Sequence, residues 1–257
     1  MTAPDRPTAV VATVAAGLPG LSLAEVVAGS ELMSRADRKY VLRLPDFLAV
    51  ADVLGDRLLA LDIGGRRSFA YSSTYFDTPD HAVFRAHRQE RRRRFKIRTR
   101  TYADTADTYC ELKLSGRREE TVKRRHPHPT AAADVLTPEA RAFLGRELAS
   151  AGLALPGSLL PALVTGYRRS TLVTADRRTR ITCDTALVWT AGARARPAAR
   201  QQVLLEVKSA TERNAVTETL ARLRLRETSV SKYCAGVVAL GLAPGGNRWL
   251  PVLRRLG

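Results

Sequence analysis

Two kinds of spacing run along the chain. Phe69–Asp77, Arg94–Tyr102, Tyr109–Leu114, Tyr167–Val173, Arg180–Val188 and Val203–Lys208 are rich in Ile, Val, Thr and Tyr and read as strands. Helical spacing appears in Phe47, Val50, Val53, Leu54 and Leu58, after Pro45-Asp46. It returns in Phe143, Leu144 and Leu148 after Thr137-Pro138-Glu139. There Thr can cap, Pro suits the first turn and Glu meets the positive end of the dipole. Shorter helices are predicted around Leu21–Ala28 and from Thr211 through Val216, Leu220 and Leu223. A last one runs from Ser231 through Val237, Val238 and Leu240 towards Gly241. No helix of 10–15 residues falls regularly between the strands, so the sheet is expected to be antiparallel and the fold α+β. Residues 1–30 read as an arm, partly disordered or holding a short helix, ahead of a single domain at 31–257. The stretch Ala191–Arg200 reads as a flexible connection.

Side chains on a strand alternate faces. Lys96, Arg98 and Arg100 therefore share one face, with Phe95 and Ile97 on the other. Glu111 and Lys113 lie opposite Leu112 and Leu114, and Glu206 and Lys208 lie opposite Leu205 and Val207. Arg180, Thr182 and Asp184 lie opposite Ile181 and Cys183, and Tyr167 shares a face with Arg169. A wet face accounts for any one of these strands. Charges two apart on several strands, with helices available to cover the apolar face, point instead to a sheet curled around a polar interior. Cations lining such a space repel one another unless an anion sits between them, so the expected ligand is a polyanion.

Composition sharpens this reading. The chain has 257 residues, 45% hydrophobic and 26% charged, enough to bury a core and too apolar for a disordered protein. Net charge is +17, which calls for an anionic partner: nucleic acid, a membrane surface or phosphate-rich small molecules. Of 42 basic residues only six are lysines: Lys39, Lys96, Lys113, Lys123, Lys208 and Lys232. A compact ammonium serves where a planar guanidinium would not, so these six are candidates for chemistry. Cys110, Cys183 and Cys234 form no CxxC pair, which excludes a disulfide framework and a cysteine-type zinc site and fits a reducing, cytoplasmic setting. The run between Arg6 and Glu25 is broken by Gly17, Pro19 and Gly20, a poor membrane span. A membrane-associated partner stays compatible with the charge. His81, His87, His126 and His128 lack metal-ligand spacing and are expected on the surface or in loops.

An ordered set of short motifs carries a family resemblance. It comprises Arg38-Lys39-Tyr40, Ser73 to Asp77, Lys96-x-Arg98-x-Arg100, Glu111-Leu112-Lys113, Tyr167-x-Arg169, Arg180 to Asp184, Leu205-Glu206-Val207-Lys208 and Ser231-Lys232-Tyr233. This set resembles the catalytic domain of vacuolar transporter chaperone (VTC) polyphosphate polymerases, of the triphosphate tunnel metalloenzyme superfamily. All six lysines fall in or beside these motifs. The resemblance implies a closed, eight-stranded antiparallel tunnel with a polar interior and helices packed outside. It implies binding of ATP or another nucleoside triphosphate and transfer of the terminal phosphate to a growing polyphosphate chain with Mn²⁺ or Mg²⁺. Carried over by position, the phosphate ligands would be Lys39, Arg98, Arg100, Lys113, Lys123, Arg169, Arg180 and Lys232. Tyr167 and Ser231 would donate to phosphate, Lys96 and Lys208 would line the tunnel, and Glu206 would hold the metal.

Two departures stand out. Ser229 occupies a position that is often basic in the family, and the E-x-E-x-K signature of the hydrolase branch is absent. Phosphoryl transfer needs charge neutralisation and in-line placement more than covalent help, and a ring of Arg and Lys with one metal supplies both. If water were the acceptor, the same residues would make a triphosphatase. A polyphosphate- or nucleotide-binding module without catalysis would keep the cations but not need Glu206. A specific nucleic-acid binder is not expected, because no aromatic stacking platform is evident on the charged face. At the start of the last helix, Lys232 faces the positive end of the dipole, so its loss is expected to leave ligand-free stability unchanged or slightly higher.

Overall fold

Alternation along the strands sorts the sheet into two faces, and helices then cover the apolar one. The computed structural model describes residues 5–28, 36–115, 121–198 and 201–256. Eleven strands form one sheet: β1 (Gly20–Leu21), β2 (Ala36–Arg43), β3 (Leu58–Leu61), β4 (Phe69–Asp77), β5 (Arg94–Tyr102), β6 (Asp107–Ser115), β7 (Thr121–Pro127), β8 (Leu160–Thr174), β9 (Thr179–Ala191), β10 (Arg194–Pro197) and β11 (Gln202–Ser209). The main path runs β2-β11-β9-β8-β4-β5-β6-β7, all antiparallel, with β3, β1 and β10 attached outside it. Eight strands and an α+β class agree with the sequence reading.

Around the sheet lie α1 (Arg6–Ala16), α2 (Leu23–Ala28), α3 (Leu44–Leu54), α4 (Ala82–Arg88), α5 (Pro138–Ser150), α6 (Ala215–Arg222), α7 (Lys232–Ala239) and α8 (Leu250–Leu256). Leu172, Ile181, Cys183, Val203, Leu205 and Val207 pack beneath α1, α3 and α6 in one core. Ile97, Cys110, Leu112 and Leu114 pack beneath α5 in another. Thr137 caps α5 by accepting from Ala140 N at 3.3 Å, as its sequence position predicts. All three cysteines are buried and free. Among the described residues no helix is long and apolar enough to cross a membrane.

The structure corrects several expectations. The barrel does not close by strand pairing: β2 and β7 end the path and share no ladder among the described residues. Chain ahead of α7 runs along the free edge of β2 instead, with Thr228 N donating to Lys39 O at 2.7 Å and Arg38 lying 3.9 Å from Glu227. Covering an edge in this way satisfies its backbone groups without closing the barrel.

Nor do all helices pack outside. α7 sits on the concave face, where Tyr233 stacks on Tyr75 at 5.2 Å and Trp189 Nε1 donates to Lys232 O at 2.8 Å. The reason is local: Tyr75, Leu163, Leu187 and Trp189 make that end of the concave face apolar. Close approach requires Gly236, since a Cβ there would lie 2.3 Å from Trp189 Cδ1.

The arm before residue 30 contains α1 as well as the expected short helix. α1 begins at an Asp5 cap, and its Val11 and Ala15 enter the core. The supposed flexible connection is, up to Pro197, a hairpin of β9 and β10 turning at Gly192, which has φ +54°, and residues 199–200 of it lie outside the described residues. α8 follows the helix expected to be last.

Candidate functional site

Strand pairing assembles the concave face from residues far apart in sequence. Lys39 on β2 lies opposite Glu206 on β11, which lies opposite Thr182 on β9, while Asp37, Lys208 and Arg180 form the neighbouring row. Asp184 on β9 pairs with Arg169 on β8. On the other flank Arg98 lies opposite Glu111 and Lys96 opposite Lys113, which is itself opposite Lys123 on β7. β4 lies between the flanks and contributes Tyr71, Ser73 and Tyr75, opposite Tyr102, Arg100 and Arg98. All the strand-borne residues singled out from the sequence therefore meet on one surface.

Its carboxylates differ sharply in how far they are already neutralised. Arg98 donates to Glu111 Oε2 from Nε at 2.8 Å and from Nη2 at 2.6 Å, and Lys123 Nζ lies 2.5 Å from Oε1. Arg169 forks onto Asp184 at 2.5 and 2.8 Å, and Lys232 Nζ adds a third contact at 2.5 Å. Among the described residues, Glu206 has one cationic partner within 4 Å, Lys208 at 3.4 Å. Its side chain is 21% exposed, against 3% for Glu111 and 1% for Asp184. Glu111 and Asp184 thus orient cations; of the two more exposed carboxylates, Asp37 holds Lys39 at 2.6 Å, and Glu206 has no ion pair closer than 3.4 Å and is the open one in that sense.

Burial and mutual repulsion set the protonation states. Desolvation lowers Lys113 to about 8, helped by Lys96 and Lys39, although its outer surface faces solvent. Desolvation likewise lowers Lys123 to about 8, with Glu111 opposing and Arg100 and Arg98 reinforcing. Burial, with Arg94, Lys39 and Arg98, lowers Lys96. Burial also lowers Arg180. Against the upward push of burial, Arg98, Arg100 and Lys123 hold Glu111 well below the usual carboxylate range. Lys208, Lys39 and Arg169 do the same for Glu206. Lys39, Lys96 and Lys113 come from strands at opposite ends of the sheet path, so their mutual influence reports how far the sheet curls.

Among the described residues, several buried polar atoms on this face have no hydrogen-bond partner: Tyr167 OH, Ser73 Oγ, Thr182 Oγ1 and Arg100 Nε, the last 3.9 Å from Glu111 Oε2. Buried groups of this kind are normally satisfied, and here they mark where a ligand or solvent bonds. Burial raises the Tyr167 hydroxyl, but Arg100, Arg169 and Lys232 outweigh it and lower the group. Ser231 Oγ caps α7 by accepting from Cys234 N at 3.3 Å, which leaves its hydroxyl proton free to donate.

The sequence reading placed Ser73 and Tyr75 in a family motif without giving them a role and did not single out Tyr71, whose two-residue spacing from Ser73 on β4 was visible in principle. It also passed over the aromatic platform that it took to be lacking. Tyr167, Tyr71, Tyr102 and Tyr109 form a row across four strands, with centroid separations of 5.3, 5.1 and 6.1 Å. No single strand carries the row, so no single segment reveals it.

Two histidines are buried rather than on the surface. His87 Nε2 bonds Phe95 O at 2.9 Å, and burial lowers its pKa to about 3. His128 bonds Ala132 O and Val135 O, at 2.9 and 3.0 Å. Both serve packing. A cavity of about 910 Å³ opens beside α1, lined by Ala12, Arg66, Arg67 and Arg168. Arg66 and Arg67 are already paired there with Asp104 and Asp62.

Among the described residues no group of three His, Cys, Asp or Glu side chains is placed to hold a metal. One open carboxylate still fits a cation that brings its own oxygen ligands, as Mg²⁺ does with phosphates. Glu206 would be the protein ligand in that case.

The fold and site define an α+β protein whose curled antiparallel sheet carries buried cations and oriented carboxylates on its concave face. The sequence matches the VTC domain over residues 34–241, and the chain belongs to that family. The family resemblance carried by the ordered motifs is thereby borne out. No curated protein matches the sequence. Among solved structures, the PH1012 protein of Pyrococcus horikoshii OT3 is similar at 17% identity and TM-score 0.41, over 81% of this chain and 98% of that one. A putative adenylyl cyclase from Hippeastrum, described as having dominant triphosphatase activity, is similar at 14% identity and TM-score 0.43, over 79% and 96%. The S. pombe RNA triphosphatase Pct1 follows at 11% and 0.29, over 87% and 77%.

Proposed function

We propose that the chain is an ATP-dependent polyphosphate polymerase that binds the triphosphate on its concave face. The observation that carries this reading is the excess of positive charge there. Among the described residues, Lys39, Lys96, Arg98, Arg100, Lys113, Lys123, Arg169, Arg180, Lys208 and Lys232 share this face with the carboxylates Asp37, Glu111, Asp184 and Glu206. Burial, reinforced by neighbouring cations, lowers Lys96, Lys113 and Lys123, and such a group of cations gains most from a ligand of several negative charges.

In this reading Arg98, Arg100 and Arg169, held by Glu111 and Asp184, bind equatorial phosphate oxygens in fixed orientation, which stabilises charge in the transition state. Tyr167 OH and Ser73 Oγ add neutral donors. A divalent ion at Glu206 would neutralise charge on the phosphates as the bond to the leaving group lengthens. The acceptor is the ionised end of a polyphosphate, which needs no general base.

Pure protein incubated with ATP and Mn²⁺ is expected to yield long-chain polyphosphate on gel separation. Free phosphate in place of polymer would make the chain a triphosphatase. Binding of triphosphate with neither product would make it a binding module.

A further inference from the structure

We propose that the tyrosine row receives the base of a nucleoside triphosphate, so that this end of the site favours nucleotides over triphosphates without a base. The inference rests on the triphosphate reading above. Tyr71 and Tyr167 are stacked, 7° from parallel, and Tyr102 and Tyr109 continue the row towards the β5–β6 turn. Tyr71, Tyr102 and Tyr109 each keep part of their surface open to solvent on a face that is otherwise charged. Apolar ring surface left wet in that position gains by being covered.

The row is joined to the phosphate-binding cations. Arg100 Cζ lies 5.7 Å and Arg169 Cζ 5.4 Å from the Tyr71 centroid. Along β5 one face reads Lys96, Arg98, Arg100, Tyr102, and the last step covers about 7 Å. Ribose places a base at a distance of that order from the α-phosphate. Positive charge is less dense beyond the row: the turn holds Asp107 and an Asp104 already paired with Arg66, and Arg125 lies over Tyr109, whereas the opposite end of β5 holds Arg91 to Arg94. The tyrosines therefore offer ring surface where the run of cations along β5 ends. Stacking of this kind tolerates any base, because every base has a π-face.

The test is calorimetric titration, with Mg²⁺, of ATP and of ribose 5′-triphosphate, which lacks the base. Wild type is expected to bind ATP roughly 5- to 100-fold more tightly. Tyr102→Leu should bring ATP down to the level of ribose 5′-triphosphate without changing the latter, and Tyr102→Phe should keep the preference. Tyr109→Leu, at the end of the row, should lower it in the same sense and covers the case in which Tyr102→Leu does not fold. Equal binding of both ligands by wild type would overturn the inference and leave the triphosphate reading standing. Equal weakening of both by the leucine variants would make the row a packing element. Failure of both ligands to bind wild type would overturn the triphosphate reading and this inference together.

Discussion

Lys232 Nζ donates to Asp184 Oδ2 at 2.5 Å, the oxygen that Arg169 Nη2 also reaches at 2.8 Å while its Nε holds Oδ1. At the first position of α7 this ammonium opposes the helix dipole, which costs roughly 0.3–1 kcal/mol in isolation. The contact with Asp184 reverses the balance. It ties α7 to β9 and places a cation 4.7 Å from the Tyr167 ring centroid. The structure thus overrides the expectation that Lys232 is dispensable without ligand.

Lys232→Ala is accordingly expected to lower stability by about 1–3 kcal/mol, the cost of leaving part of a buried carboxylate unsatisfied. Replacement of exposed Arg92 by Ala should stay within about 0.5 kcal/mol. Urea unfolding of both variants checks this. An unchanged midpoint for Lys232→Ala would mean that Arg169 alone satisfies Asp184.

Glu206→Gln should reduce turnover by roughly 10²-fold or more while leaving triphosphate affinity within about threefold. The carboxylate is the open one, and the cations supply the attraction. Parallel loss of both would identify Glu206 as an ion-pair partner positioning Lys208, which lies 3.4 Å away.

Tyr167→Phe removes a buried hydroxyl that has no protein partner. Ligand-free stability should therefore hold or rise slightly, while triphosphate binding weakens by roughly tenfold, as for a hydrogen bond to a charged group. Thermal melts with and without tripolyphosphate separate the two effects. A variant destabilised without ligand but shifted normally by it would contradict the assignment.

Stability should depend on acid in a defined direction. Glu111 and Asp184 are held below their ordinary values of 4.5 and 3.8 in the folded protein. They contribute stability in full above those values and lose it as pH falls towards their depressed folded values. The melting temperature should fall steeply below about pH 4.5, and the Glu111→Gln variant should show a shallower fall.

Ligand binding should depend on base. Lys113 and Lys123, at about 8, are half deprotonated near that pH in the free protein and mostly so above it, and bound phosphate restores the charge. Triphosphate affinity should weaken as pH rises through 8, with net proton uptake on binding. Titrations in buffers of different ionisation enthalpy measure that uptake. Binding that takes up no protons at pH 8.5 would show that neither lysine touches phosphate.

Period-two alternation is a property of the extended backbone alone. The sequence was therefore sufficient to place Lys96, Arg98 and Arg100 on one face, and Glu206 with Lys208 on another strand's polar face. Local chemistry likewise made the Thr137 cap, the start of α5 and the ordered family motifs readable. Strand order and register were not readable, because they depend on contacts between residues from about a dozen to more than 160 positions apart. Those contacts decide that Arg169 and Lys232 consume Asp184, that Arg98 and Lys123 consume Glu111, and that Glu206 stays open. They also bring four tyrosines from four strands into one row. The failure to close had the same origin. Whether β2 meets β7, or is covered by the chain ahead of α7, depends on the apolar concave end around Trp189, which draws α7 inside. Sequence determined which residues face the ligand space, and tertiary packing determined which of them are left free to bind.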